Sequence, residues 1–331
     1  MHCELVVPGL FAGDTEARAP ALELLLARGR CATAESLGLE GWLRTAFGVD
    51  APALPAGALT LLAGGEDPGS TCWVRADPVH LRLARDRLIV VPDAAFAVSP
   101  EEADTLVEAL NRHFAGVLEL HAVDERRWCA RLEESLALDA PSALACAGRD
   151  VDLTARIGGE AGRRWSRLLN EAQMLLHAHP VNQARDARGE PAINSLWLWG
   201  AGYAPQGLKA RWQSVFASDP LPLGLAKASG AQPRRLPETA EEWLAQAPPE
   251  GRHLVVLDAL RGPMALGQAA EYRESIDSLE RHWFAPLLDG LRGGRLDMLS
   301  VHVPDGASSF ETIRGDLRRF WRRRRALERY A

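Results

Sequence analysis

The sequence predicts an α/β fold: a mainly parallel, doubly wound sheet interrupted by a smaller inserted α+β lobe. Near both ends of the chain, apolar runs at 5–7, 253–257 and 296–303 alternate with helical patterns. That is the signature of buried strands joined by helical crossovers. Between them, residues 70–150 hold short strand-like runs in close succession around one helix. The predicted domains are therefore a core formed by 1–69 and 151–331, and an inserted lobe at 70–150. A chain of 331 residues is long enough to bury a core in both.

The first run, Leu5 to Val7, is closed by Pro8-Gly9 and opens the sheet. Helices are predicted over 20–30 and 36–47, stopped at Gly29 and Gly48, followed by a Pro/Ala/Gly-rich connector at 51–69. Strands are expected at 71–74, 81–83, 88–91, 118–123 and 128–130. Ser99-Pro100-Glu101-Glu102 combines a capping serine, a first-turn proline and a capping-box glutamate, and starts a helix to about residue 114. A helix over 164–179 is broken by Pro180, and a buried strand at 195–199 ends in Gly200-Ala201-Gly202. Residues 215–227 read ambiguously, and a short helix falls around 240–247. A long amphipathic helix over 268–291, the strand at 296–303 and a closing helix over 317–330 complete the pattern, with no internal repeat.

Composition narrows the function classes. The net charge of −6 gives no global pull toward nucleic acid or an anionic membrane. Lys209 and Lys227 are the only lysines, a skew toward arginine expected of a GC-rich genome. Five scattered cysteines show no paired or zinc-ligand spacing, which predicts a reducing compartment. The start lacks a signal-peptide pattern and no run of about 18 apolar residues occurs. A cytoplasmic protein that neither spans a membrane nor is exported is expected.

Polar side chains crowd one helix end and one strand end. His179, Asn182, Arg185 and Asn194 offer imidazole, amide and guanidinium groups suited to a carboxylate or phosphate ligand, although capping of the helix before Pro180 also explains His179 and Asn182. Arg75, Asp77 and His80 form a second compact set. Alternation places Arg75 and Asp77 on one strand face, as pocket residues or as a plain ion pair. A partly buried His80 beside Asp77 would switch charge near physiological pH. The tail carries six arginines within 318–325, either the solvated side of an amphipathic helix or a surface that attracts nucleic acid, anionic lipid or an acidic partner. Trp197, Trp199, Trp212 and Trp283 belong first to the core.

The passage from Asn170-Glu171 through His179-Pro180-Val181-Asn182 to Leu196–Trp199 and Gly200-Ala201-Gly202 resembles the archaeal-type cofactor-independent phosphoglycerate mutases. Trp73 to Leu81, the 296–306 strand region and Arg318-Arg319-Phe320-Trp321-Arg322 look similar to the RpfE-type regulatory proteins, a bacterial offshoot of the same alkaline-phosphatase-like superfamily. The resemblance implies the fold of that superfamily and, for its catalysts, two divalent ions that activate a hydroxyl and clamp a phosphoryl group. It implies an Asp before a Gly after the first strand, a Ser or Thr nucleophile at a helix start, and Asp/His pairs after late strands.

This chain departs from each requirement. Pro8-Gly9-Leu10 follows the first strand, with Asp14 five residues beyond Gly9. Thr33, Ser36 and Thr45 are the hydroxyls in the nucleophile region, and Thr33 and Ser36 serve equally as helix caps. Asp258 and Asp305 follow later strands, with His302 one step inside the last. Asp258, His302 and Asp305 are thus the remaining catalytic candidates and, with Asp14, the candidate ligands of a single Mn or Zn ion, since strand ends converge in open α/β sheets. The expectation is a non-catalytic, mutase-like protein that binds a small anion or a partner in regulation. An active metal-dependent phosphoglycerate mutase or phosphohydrolase with a rebuilt site is one alternative, and an interaction protein working through its arginine-rich terminal helix is another.

Overall fold

The computed structural model describes residues 1–12, 17–33, 35–84, 87–133, 138, 140–148 and 159–330. Among these, Met1–Val49 with Gly207–Ala331 make one compact unit and Asp50–Gln206 another.

The first unit begins with β1 (His2–Val6), α1 (Pro20–Arg28), β2 (Arg30–Thr33) and α2 (Gly38–Ala46). Helix α1 has a proline in its first turn but no side-chain cap of its own. The Glu280 carboxylate substitutes, accepting from the amides of Ala21 and Leu22 at 2.6 and 3.3 Å. The helix expected from residue 36 begins at Gly38 instead, and Thr33 lies in β2. Neither Thr33 nor Ser36 is a cap, because both precede the helix by a stretch of extended or irregular backbone.

The second unit runs α3 (Ala56–Gly64), β3 (Cys72–Ala84), β4 (Arg87–Pro92), α4 (Pro100–His113), β5 (Leu120–Ala122), β6 (Trp128–Leu132), α5 (Gly159–Ala178), α6 (Pro180–Ala187) and β7 (Ser195–Gly202). Its sheet is antiparallel, ordered β4-β3-β6-β5, with β7 also on β3. Two expected strands, 71–74 and 81–83, prove to be the ends of one long β3. The capping box on α4 forms as the sequence indicates. Pro180 does not merely end a helix: it occupies the first turn of α6, where its missing N–H costs nothing.

The boundaries differ from those expected. Residues 50–69 and 159–206 belong with the inserted unit, because β7 pairs with β3 over Trp73 to Val79 and α3 packs on the same strand. The approach is backbone to backbone: a Cβ on Gly57 would lie 2.6 Å from the Val74 nitrogen. Gly200 adopts φ +60°, and a Cβ there would lie 2.4 Å from that of Ala56. The Gly-Ala-Gly ending is thus a helix-packing device. A core of Val74, Leu106, Leu110, Trp128 and Leu176 fills this unit.

The chain returns to the first unit with β8 (Ser214–Ala217), α7 (Pro220–Ser229), β9 (Gln232–Arg235), α8 (Ala240–Gln246), β10 (Arg252–Val256), α9 (Arg261–Ala265), α10 (Ala269–Leu279), α11 (Ala285–Gly293), β11 (Met298–Val303) and β12 (Ser308–Ile313). The sheet order is β2-β12-β11-β1-β10-β8-β9, parallel from β11 through β9 with β12 and β2 as an antiparallel edge. That polar edge was not legible as strand. Cys3, Leu5 and Val7 join Leu22, Leu25, Ile276, Phe284 and Leu287 in the core on one face. The predicted long helix over 268–291 contains a π turn at Glu280–Phe284, just before Pro286, which has no N–H to continue the regular ladder.

The closing helix over 317–330 does not form. Short 3-10 turns at Arg314–Arg318 and Leu327–Tyr330 flank irregular backbone. Successive arginines from 322 to 325 would repel one another along a helix. The end of α1 offers their neighbours an alternative: Arg319 and Arg322 donate to the carbonyls of Arg28 and Gly29 at 3.0 and 2.7 Å, and the Arg28 guanidinium donates to the Leu317 carbonyl. No helix among the described residues is long and apolar enough to cross a membrane.

Candidate functional site

In the first unit, the ends of β1, β10 and β11 bring Pro8-Gly9, Asp258 and Asp305 to one edge of the parallel sheet. Asp305 accepts the Gly9 N–H on Oδ2 at 2.7 Å, and Ser36 Oγ donates to the Asp305 carbonyl at 2.9 Å. The turn after β1 is fixed from its other side by Tyr272, whose hydroxyl reaches the Gly9 and Leu10 carbonyls at 2.8 and 2.9 Å. Gly9 has φ +81°, and a Cβ there would meet the Met264 sulfur at 3.1 Å. Thr45 donates to the Gly41 carbonyl within α2.

The second carboxylate, Asp258, acts with Glu40 and Asp219 on the charge of Arg261. Arg261 donates to Glu40 at 2.6 Å. Burial opposes the charge of Arg261, and the three carboxylates restore it, raising its affinity for the proton. The Arg261 guanidinium is thus paired with Glu40 and held charged by the carboxylates around it.

His302 turns away from both aspartates. Its side chain lies on the opposite face of β11 from the apolar core, 3.5 Å from Glu4 and with its ring centroid 5.2 Å from that of Trp42. Glu4 is almost wholly buried at the middle of β1, with Arg252 at 2.5 Å and Arg211 at 3.5 Å. Burial would raise its pKa, but the contacts from His302 and the two arginines hold it down to about 2. Glu4 Oε2 and His302 Nε2 face each other at 3.5 Å without a well-formed hydrogen bond, and Trp212 Nε1 has no hydrogen-bond partner among the described residues. This charged cluster was missed in the sequence, although a glutamate interrupting Cys3-Glu4-Leu5-Val6-Val7 was its signal.

Asp258, His302 and Asp305 therefore do not assemble as one ligand set, and among the described residues no three His, Cys, Asp or Glu side chains form a group able to hold a metal ion. Asp14 lies outside the described residues. The donors that are described do not fit a Mn or Zn centre, because they are not grouped: His302 lies against Glu4, and Asp305 accepts the Gly9 amide.

In the second unit, the side chains around α6 serve the backbone. His179 caps α6, its Nδ1 accepting the Val181 N–H at 3.2 Å, and burial together with the Arg112 charge lowers its pKa. Asn182 donates to the Leu176 and Ile193 carbonyls and accepts from the Ile193 amide, at 2.7 to 2.8 Å. Arg185 donates to the Pro191 and Ala97 carbonyls and to Glu102. Asn194 clamps β3 by bonding both the amide and the carbonyl of Leu81. These groups are neighbours, as expected, but their polar atoms are directed at the chain itself.

Arg75 and Asp77 form a buried ion pair at 2.6 Å, joined by Thr60 and by Trp199, whose indole donates to Asp77 at 2.6 Å. Burial raises the Asp77 pKa against the pull of Arg75. His80 is not beside Asp77: three positions along a strand place it on the other face, where it bonds the Ala192 carbonyl at 2.8 Å. The predicted Asp77–His80 switch therefore has no structural basis. Asp93 lies near Asp77, and burial followed by the Asp77 charge pushes its pKa up to about 6.

No family model matches the chain. It is 25% identical over 207 residues to the 2,3-bisphosphoglycerate-independent phosphoglycerate mutase of Methanosarcina mazei, covering 57% of this chain and 50% of that protein. A probable enzyme of the same description from Geobacter sulfurreducens is 27% identical over 207 residues, with the same coverages. The chain thus spans about half the length of the curated relatives it matches. The solved structure of the PH0037 protein from Pyrococcus horikoshii superposes with a TM-score of 0.56 at 16% identity, covering 94% of this chain and 87% of that one. The structural likeness concerns the fold, and the sequence similarities are those of a distant, low-identity homology to cofactor-independent phosphoglycerate mutases.

Proposed function

We propose that this protein is a non-catalytic, phosphoglycerate-mutase-like regulator of the RpfE type, a bacterial cytoplasmic pseudoenzyme on the alkaline-phosphatase-like scaffold. One observation supports the reading: each strand-end carboxylate meets a donor or a positive charge of the chain itself, Asp305 the Gly9 N–H and Asp258 the field of Arg261. A two-ion phosphoryl-transfer site needs such carboxylates free to share divalent cations. On this reading the Arg261 charge stands in for a cation, and the scaffold retains a charged strand-end surface without the electrophilic centre. Its regulatory role then rests on binding a small anion or a partner.

The test is a purified full chain assayed for interconversion of 2- and 3-phosphoglycerate with added manganese, alongside calorimetric titration of the metal. Neither turnover nor stoichiometric manganese binding is expected. Turnover abolished by Asp258→Ala and Asp305→Ala would instead establish the rebuilt-enzyme alternative and overturn the proposal.

A further inference from the structure

We infer that the arginine-rich C-terminal segment and the end of α1 form a binding groove for a nucleotide carrying two or more phosphates. A cavity of about 930 Å³ lies between them, within the range of small-molecule sites. Arg30, Arg322, Arg323, Arg325 and Arg329 line it together with Trp321, and no carboxylate does. Arg30, Arg323, Arg325 and Arg329 make no ion pair among the described residues, so their donors remain available to an anion. Planar guanidinium groups pair with phosphate oxygens two bonds at a time, which suits a polyphosphate better than a single charge.

The groove is built rather than left over. Arg319 and Arg322 are tied to the carbonyls that end α1, and Tyr330, on the opposite wall, donates to the Glu23 carbonyl. Between these anchors Trp321 remains 66% exposed at the rim, a flat surface on which a base can stack beside cations. Charge favours a compact ligand over a long nucleic-acid strand. Residues 314–330 hold eight arginines against two acids, a net +6 in a chain of net −6, so the remainder carries −12 and repels an extended phosphate backbone. The concavity likewise suits an enclosed ligand better than a flat lipid surface.

Cys31 supplies the readout, because it lines the groove and is exposed whereas the other four cysteines are buried. ATP should slow alkylation of Cys31 in the full-length protein. The double variant Arg323→Ala/Arg325→Ala, at exposed positions that anchor nothing, should bind ATP at least about tenfold more weakly by calorimetry. Trp321→Ala should weaken ATP while leaving inorganic tripolyphosphate unchanged. The inference is overturned by unaltered Cys31 reactivity at about 5 mM ATP, a concentration that would reveal even millimolar affinity. It is equally overturned by tripolyphosphate binding as tightly as ATP to the unmodified protein. Capture of oligo-dT or phosphatidylserine vesicles that ATP fails to displace would also overturn it. None of these residues belongs to the strand-end site, so the outcome is separable from the presence or absence of mutase activity.

Discussion

The two units handle buried polarity in opposite ways. Around α6 in the second unit, Asn182, Arg185 and Asn194 spend their hydrogen-bonding groups on nearby carbonyls and amides, leaving a rigid, internally satisfied scaffold. In the first unit, the buried Glu4 gathers charged groups on one sheet face, with Arg252 at 2.5 Å and His302 and Arg211 at 3.5 Å, and near the strand ends a half-buried Arg261 is paired with Glu40. The difference teaches that a conspicuous polar motif marks a demanding backbone geometry as readily as a site. Buried charge gathered on one sheet face is the better pointer to chemistry.

The sharpest way to break this comparison is Arg185→Ala. If Arg185 is scaffold, removing a buried guanidinium that serves two carbonyls and Glu102 should destabilise the protein by about 3–5 kcal/mol, read as a fall in the urea midpoint. A stable variant with lost ligand binding would reverse the assignment. Next in size is Glu4→Gln in the first unit. The folded carboxyl is held at about 2, below its ordinary value, so the stability it confers is present above that ordinary value and is lost as pH falls toward 2. The linkage is worth about 3 kcal/mol, and the variant should therefore show a shallower acid-denaturation slope in that window. Equal slopes would remove Glu4 from the account.

Asp93 sharpens the contrast from the second unit with the opposite sign. Its folded pKa is raised to about 6, so its contribution is fully present below the ordinary aspartate value and lost as pH rises through 6. Asp93→Asn should be more stable than the unmodified protein by at most about 3 kcal/mol at pH 8 and indistinguishable at low pH, by thermal or urea unfolding. The smallest effect belongs to Asp305→Ala, which frees one backbone amide at the β1 turn. A loss of about 1 kcal/mol is expected, and faster hydrogen exchange at Gly9 would locate it.

Much of the strand and helix pattern was legible locally. The capping box at Ser99, the proline in the first turn of α4 and the apolar runs of β1, β10 and β11 act within a few residues of themselves. The distant mutase likeness was legible as well, in segments such as His179-Pro180-Val181-Asn182. What those segments do was not, because whether Asn182 meets a ligand or the Ile193 backbone depends on residues eleven positions away. The terminal helix failed for a related reason: local periodicity suggested it, but mutual repulsion and the carbonyls ending α1 drew the arginines elsewhere.

The sequence by itself determined the α/β class, an inserted smaller unit and the lack of an Asp-Gly pair after the first strand, since composition, periodicity and motif spacing are properties of neighbouring residues. Tertiary structure alone decided that the insertion spans 50–206, that Glu4 is a buried carboxylate beside His302, and that Arg261 pairs with Glu40. Those facts depend on pairings between β3 and β7, and between β1, β10 and β11, across distances at which strand register and burial, not local preference, set each group's partners.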